Sequence, residues 1–275
     1  MSEVTTIGLD LAKNVFQVHG VDAFGQVVLR RQLRRSQVLP FFEKQAACVV
    51  GLEACATAHH WAREIAKLGH DVRLMPARYV KPYVKRNKND AADAEAICEA
   101  VTRPTMRFVA VKTEEQQSVL MLHRTRQLFM RQRTTLINAI RAHIHMAKFG
   151  IVAGVGRNGV ERLLRLIDER ADDRVPPVAR ECLQALRAQL VLVKRQILEA
   201  DRGINAWHRS NELSRRLEMI PGVGPLIATA LVASIPDPHA FGSARDVPAW
   251  IGLVPKQNST GGKERLGSRP HMAHS

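Results

Sequence analysis

The sequence predicts an α/β domain at the N-terminus, a helical middle of coiled-coil character, and a mainly α C-terminal domain with a helix-hairpin-helix motif. Three observations predict it. Short β-rich runs alternate with helical spacing over residues 1–110. A stretch rich in Leu, Gln, Arg and Thr, almost free of Gly and Pro, runs from Thr113 to about Lys148. A Pro-Gly-Val-Gly turn then separates two helix-spaced runs after Leu213. At 275 residues the chain is long enough for about two domains. The expected division is 1–110, a helical region 111–210, and 211–275.

The segment VTTIGLDLAKNVFQVHGVDAFGQVVLRRQL alternates β-rich runs with a turn signal at Asp22 to Gly25, which predicts three antiparallel strands with Asp10 closing the first. Phe41 and Phe42 fall in a short helix. The apolar run ACVVGLEA then reads as a buried strand ending near Glu53. Thr57 to Leu68 has helical spacing and stops at Gly69, and DVRLMP (71–76) is a further strand. DAADAEAICEAV (90–101) is a compact helix capped by Asn89 or Asp90.

In the long helical stretch Leu136, Ile140 and Ile144 recur every fourth residue on one face. The same stretch carries Arg124, Arg126, Arg131, Arg133, Arg141 and Lys148, with no acid after Glu115. A second helix is expected over Val178 to Trp207, with an apolar stripe of Leu183, Leu186, Leu190, Val193, Ile197 and Leu198 suited to a helical hairpin or a homo-oligomeric coiled coil. At the Pro-Gly-Val-Gly turn, Gly222 and Gly224 let the backbone approach a phosphate, and the following helix offers its N-terminal N–H groups.

The formal charge is +15, from 41 Lys and Arg against 26 Asp and Glu, which points to a polyanionic partner. Only 5% of residues are aromatic, so contacts to backbone phosphates are expected rather than base stacking. Cys48, Cys55, Cys98 and Cys182 form no CxxC pair and have no His at zinc-finger spacing, which predicts buried thiols in a reducing cytoplasm. There is no charged-then-apolar leader and no uninterrupted apolar run of about 18 residues, so a soluble, cytoplasmic, nucleoid-associated protein without membrane contact is expected.

Metal-assisted phosphodiester chemistry needs several hard oxygen ligands converging from different elements. Asp10 and Glu53 at strand ends, with Asp90 and Asp93 three residues apart on one helix, supply such a set. Each alone has an ordinary explanation as a turn, surface or helix-capping acid. Together, in this α/β order, they match the ribonuclease-H-like fold, where acids from a first strand, a fourth strand and a later helix meet at one edge.

The phrases IGLDLAKNVFQVHGVD, VVGLEACATAHHWAREI, KNDAADAEAI, IPGVGPLIATALVASI and ARDVPAWIGLVPKQNSTGGKERLG resemble the DEDD-type transposases of bacterial insertion sequences, the family numbered one hundred and ten, whose members include bridge-RNA-guided recombinases. The resemblance spans residues 4 to about 267. It implies a RuvC-like N-terminal domain whose Asp10, Glu53, Asp90 and Asp93 bind Mg2+ or Mn2+. It implies a C-terminal transposase domain whose QNSTGG motif brings Ser259 as nucleophile, with Thr260 the neighbouring alternative. Lys263 and Arg265, just after that loop, are placed to neutralise phosphate. The implied partners are DNA, at the element ends and at the target, a non-coding guide RNA, and further copies of the chain as a dimer or tetramer.

Relatives usually continue past GGKERLG with an Ile-Ser-Lys-x-Gly segment, whereas here the sequence reads GSRPHMAHS. The expectation is an incomplete C-terminal domain with a mobile Ser259 loop and intact metal binding. Three other readings stand beside the transposase: a RuvC-like nuclease cutting branched DNA by water attack, a catalytically impaired nucleic-acid-binding product of a truncated element, and an actin-like sugar kinase. The last is suggested by IGLD but has no Gly-rich phosphate loop.

Overall fold

The computed structural model describes residues 3–85, 89–146, 159–162, 164–165, 175–254, 257–260 and 263–266. Cα packing groups Met1–Glu114 with Ile235–Ser275 in one compact unit and Glu115–Ser234 in another.

The first unit is built on a five-stranded mixed sheet in the order β3-β2-β1-β4-β5. Strands β1 (Thr6–Asp10), β2 (Val15–Val21) and β3 (Val27–Arg34) form the expected antiparallel meander, turned at Asp22, whose carboxylate accepts the N–H groups of Phe24 and Gln26 at 2.9 Å. Helix α1 (Val38–Phe42) leads to β4 (Val49–Glu53), helix α2 (Ala58–Lys67) and β5 (Asp71–Met75), and the two added strands run parallel to β1 and to each other. This mixed sheet is consistent with the ribonuclease-H-like class. A short helix α3 (Ala77–Val80) precedes α4 (Asp90–Val101). Asn89 caps α4, its side-chain oxygen accepting the Ala91 N–H at 2.7 Å, so the choice between Asn89 and Asp90 falls to Asn89.

Strand alternation assigns the two faces of the sheet. Ile7, Leu9, Phe16, Val18, Leu33, Val50 and Leu52 pack with Phe42, Trp61 and Ile65 of α1 and α2 into the main core. Burying each such side chain contributes about 1.5–3 kcal/mol. The opposite face receives α4, whose Ala96, Ile97, Ala100 and Val101 join Met75 and Val80. The sheet presents glycine there: a Cβ on Gly8 would lie 2.2 Å from the Ala94 carbonyl oxygen and 2.4 Å from the Cys98 nitrogen, and one on Gly51 would lie 2.8 Å from Val101 Cβ. Gly8 and Gly51 are register partners, so the helix rests on a two-strand floor without side chains.

In the second unit α5 (Glu114–Met146), which starts at the unit boundary, and α6 (Pro177–Ser210) are the two long helices, both within a few residues of their predicted limits. Ile140 and Ile144 pack with Leu183 and Leu190, and Leu136 joins them partly buried. The buried stripe of α6 runs Leu183, Leu190, Val193, Ile197, Ala200 and Ile204. Leu198 does not belong to it and is 57% exposed, because one residue past Ile197 turns the side chain about 100° off the face. Helix α7 (Glu212–Glu218), a turn with Gly222 at φ +86°, and α8 (Pro225–Ser234) follow. His208 at the end of α6 bridges Ser214 Oγ at 2.8 Å and Glu218 Oε2 at 2.9 Å, locking the bend into α7. Returning to the first unit, a short helix α9 (Asp246–Trp250) precedes a hairpin of β6 (Gln257–Thr260) and β7 (Lys263–Leu266). The segment read from sequence as a loop around Ser259 is therefore a paired strand, with Ser259 opposite Glu264. Among the described residues no helix is long and apolar enough to cross a membrane.

Gly8→Ala forces a methyl into helix backbone and is expected to destabilise the chain by about 3 kcal/mol or more, measured by urea unfolding of the full chain. Gly51→Ala meets only a side chain and should cost about 1–3 kcal/mol, a loss that shrinks when Val101 is also made Ala. Unchanged stability of Gly8→Ala would refute the close packing.

Candidate metal centre and nucleic-acid interface

The last register pair of β1 and β4 is Leu9 with Leu52, so Asp10 and Glu53 leave the sheet side by side at its C-terminal edge. Two-residue periodicity puts them on the face of Gly8 and Gly51, the face that α4 covers. Asp90 and Asp93 stand in the first turn of α4, held over those strand ends by its close packing. A carboxylate oxygen from each of Asp10, Asp90 and Asp93 lies within 4.8 Å of the others. Glu53 stands outside that triplet but within electrostatic reach of Asp93 and Asp10.

Crowding leaves its mark on protonation. Burial first, then the charges of Asp93, Asp90 and Glu53, push Asp10 up to about 6, against a weaker opposing hydrogen bond from the Leu11 backbone. Burial and Asp93 likewise raise Glu53. Neighbouring acids on the same helix are treated differently: Glu95 pairs with Lys85 at 2.5 Å and Glu99 pairs with Arg103. Among the described residues no Lys or Arg pairs with Asp10, Glu53, Asp90 or Asp93.

Three hard oxygen donors, Asp10, Asp90 and Asp93, gathered with no basic partner among the described residues and with Glu53 nearby, fit a divalent cation. Oxygens sharing one such ion at about 2.0–2.6 Å are separated by up to about 4–5 Å, the spacing found here. The donor set suits Mg2+, Mn2+ or Ca2+ and lacks the soft ligands that select zinc.

Comparison with known proteins gives this cluster its context. Residues 7–147, which hold all four acids, match a family model of DEDD type described as Transposase, and residues 214–274 match the Transposase IS116/IS110/IS902 family. The chain belongs to the IS110/IS116/IS902 family of transposases. A Sinorhizobium fredii protein whose description carries the word transposase is 47% identical over 97% of this chain and 68% of its own length. The transposase for insertion sequence element IS1328 of Yersinia enterocolitica is 40% identical, over 97% of this chain and 78% of its own length. The transposase for insertion sequence element IS1111A of Coxiella burnetii is 39% identical, over 97% and 72%. The transposase is thus an enzyme acting on DNA, with strand cleavage and transfer the reactions expected of it and divalent metal the expected aid.

The other residues singled out in the sequence are dispersed. On α5, Arg124 and Arg131 are exposed, Arg133 and Arg141 are half-buried, and Arg126 is engaged with Asp201 at 2.5 Å. Lys148 lies outside the described residues. Gly222 and Gly224 are exposed in the turn before α8, and a Cβ on Gly224 would meet nothing within 4 Å. Ser259 and Thr260 occupy β6, and Lys263 and Arg265 occupy β7 opposite Thr260 and Asn258. Sequence reasoning missed Gly8 and Gly51 as site-building residues. The signal was present as a repeated Gly-Leu-acid triplet, Gly8-Leu9-Asp10 and Gly51-Leu52-Glu53.

Asp10 holds a proton in the fold that it would release in the unfolded chain between 3.8 and about 6. Without metal, stability is therefore highest below that window and falls as pH rises through it. A bound divalent cation reverses the repulsion. Addition of Mg2+ is expected to raise Tm more at a pH a unit above 6 than a unit below it, and Asp10→Asn should abolish most of the gain. Equal Mg2+ stabilisation on both sides of the window would count against the site.

Proposed function

We propose that this transposase moves its insertion sequence by a metal-dependent transesterification, with Asp10, Glu53, Asp90 and Asp93 holding Mg2+ or Mn2+ and Ser259 acting as nucleophile. The observation that carries it is the carboxylate cluster on the α4 face, without a basic partner among the described residues in a chain of +15 charge. The carboxylates would grip the cation from the strand edge and the helix turn, leaving the solvent side for phosphate oxygens. When bound, the cation supplies Lewis-acid polarisation of the phosphoryl group.

In the proposed reaction Ser259 Oγ attacks phosphorus as its proton passes to solvent. One P–O bond to deoxyribose breaks, and the leaving alkoxide takes up a proton. A phosphoserine link replaces the phosphodiester, so the bond energy is kept for rejoining. Lys263, opposite Thr260, and Arg265 would offset phosphate charge, while Thr260 is the alternative nucleophile.

In functional terms 1–110 form the RuvC-like metal-binding domain. Residues 111–210 are a coiled-coil linker that mediates assembly into a dimer or tetramer, and 211–275 form the transposase domain. The turn at Gly222 and Gly224 works as a helix-hairpin-helix, bringing backbone to phosphate. The arginines of α5 contact backbone phosphates, and a structured guide RNA supplies sequence recognition, since few aromatic side chains serve base reading.

The test is incubation with Mg2+ and DNA carrying the element ends, followed by denaturing electrophoresis. The full chain is expected to yield cleaved DNA and a protein–DNA adduct. Ser259→Ala should lose the adduct and Asp10→Asn both products. Cleavage that persists in Ser259→Ala without any adduct would favour water attack on branched DNA instead, and loss of the adduct only in Thr260→Ala would shift the nucleophile by one residue.

A further inference from the structure

At the end of the sheet where the carboxylates lie, but with its Trp61 wall supplied by α2 on the face opposite α4, an open cleft of about 630 Å³ is lined by Asn14, Val15, Arg34, Arg35, Ser36 and Trp61. Its position follows from register. Asp10 pairs with Gln17, Gln17 with Gln32, and two residues further toward the rim Val15 pairs with Arg34. With strands about 4.8 Å apart and about 3.3 Å of rise per residue, the backbone of Arg34 lies roughly 12 Å from that of Asp10.

The cleft is built rather than incidental. The Arg34 N–H donates to Gln37 Oε1 at 2.8 Å and the Arg35 N–H to the Asn14 carbonyl at 3.0 Å, which fixes the bend that presents both side chains. The Arg35 guanidinium lies over the Trp61 ring, 5.1 Å from its centroid, a cation–π contact that narrows the positions it samples. Trp61 is 4% exposed and anchored edge-on against Phe16, yet its indole N–H has no hydrogen-bond partner. An unpaired buried donor is costly and calls for an explanation. Among the described residues neither Arg34 nor Arg35 pairs with an acid, unlike Arg63, Arg73, Arg103 and Arg126 of the same chain. Edge strands often carry basic side chains against sheet-to-sheet association, which accounts for Arg30 and Arg31 on β3. It does not account for a stacked guanidinium, an unpaired indole donor, a serine hydroxyl and an amide lining one cleft.

We propose that this cleft binds a backbone phosphate of the nucleic-acid strand whose scissile phosphate lies at the carboxylates. Arg34 and Arg35 supply the charge, and Ser36 and Asn14 supply neutral donors. On the backbone separation set by the register, the cleft engages the strand within a few nucleotides of the reacting bond. The proposal rests on the metal-site reading for the placement of that bond.

The test measures binding of a labelled DNA duplex, and of an RNA of the same sequence, by anisotropy across salt concentrations, with Trp emission read in parallel. Two lost phosphate contacts change the slope of log K against log salt by about 1.8. Over a fourfold rise in salt, the full chain should therefore lose about tenfold more affinity than Arg34→Ala/Arg35→Ala. Arg73→Ala/Arg103→Ala, which removes two exposed arginines held by Asp71 and Glu99, should keep the original slope. DNA binding should change Trp emission in the full chain, and Trp61→Phe should remove that change while Trp207 and Trp250 remain. Response to DNA alone assigns the cleft to the cut strand, and response to RNA alone overturns that assignment. An unaltered slope in Arg34→Ala/Arg35→Ala, or an equal loss in the control pair, overturns the cleft even where Asp10→Asn still abolishes cleavage. Absence of any nucleic-acid binding by the full chain overturns the cleft and the metal-site reading together.

Discussion

Everything that gives this transposase its candidate site depends on the contact between α4 and the glycine floor of the sheet. Gly8 and Gly51 sit opposite one another on adjacent parallel strands, and the helix descends until its backbone at Ala94 and Cys98 fills the space a Cβ would take at Gly8. A helix held by large side chains would ride about 10 Å above the sheet and carry its first turn away from the strand ends. Here the small residues Ala94, Ala96 and Ala100 complete the approach, so Asp90 and Asp93 are delivered to Asp10. Packing and chemistry are two consequences of one steric choice.

That choice sets charges of one sign close together in a chain otherwise rich in the opposite sign. The fold neutralises neighbouring acids of α4, through Lys85 on Glu95 and Arg103 on Glu99, while the site acids have no basic partner among the described residues. Neutralising them with lysine would have stabilised the domain, yet it would also have closed the position a cation occupies. The positive net charge of the chain acts over a longer range and would draw a polyanion, while the acids themselves repel phosphate unless a cation offsets them.

Much of this was legible in the sequence where a local signal controlled the outcome. Asn89 before an acid-rich first turn fixed the start of α4, and alternating runs fixed the meander and the strand ends at Asp10 and Glu53. The long helices were legible because Gly and Pro are scarce between their ends. Leu198 was misplaced because a stripe read by composition tolerates neighbours that a 3.6-residue period separates. The strand around Ser259 was hidden because Asn, Ser and the following glycines favour turns, and only pairing with 263–266 makes 257–260 a strand. The Arg34 cleft was invisible because Trp61 reaches it from helix α2, 26 residues along the chain from Arg35.

The protonation of Asp10 ties these strands of argument together. With a pKa near 6 raised chiefly by burial and then by three neighbouring acids, its carboxylate is ionised at neutral pH only against the repulsion of the cluster. The protein therefore holds an electrostatic imbalance that packing sustains and that solvent, screened from the half-buried Asp10 and Asp93, relieves only in part. A cation would offset the repulsion of the cluster, and a phosphate arriving with it would offset the cation's remaining charge. A site built this way favours the metal–nucleic-acid pair over either component, because each ligand removes the charge that opposes the other.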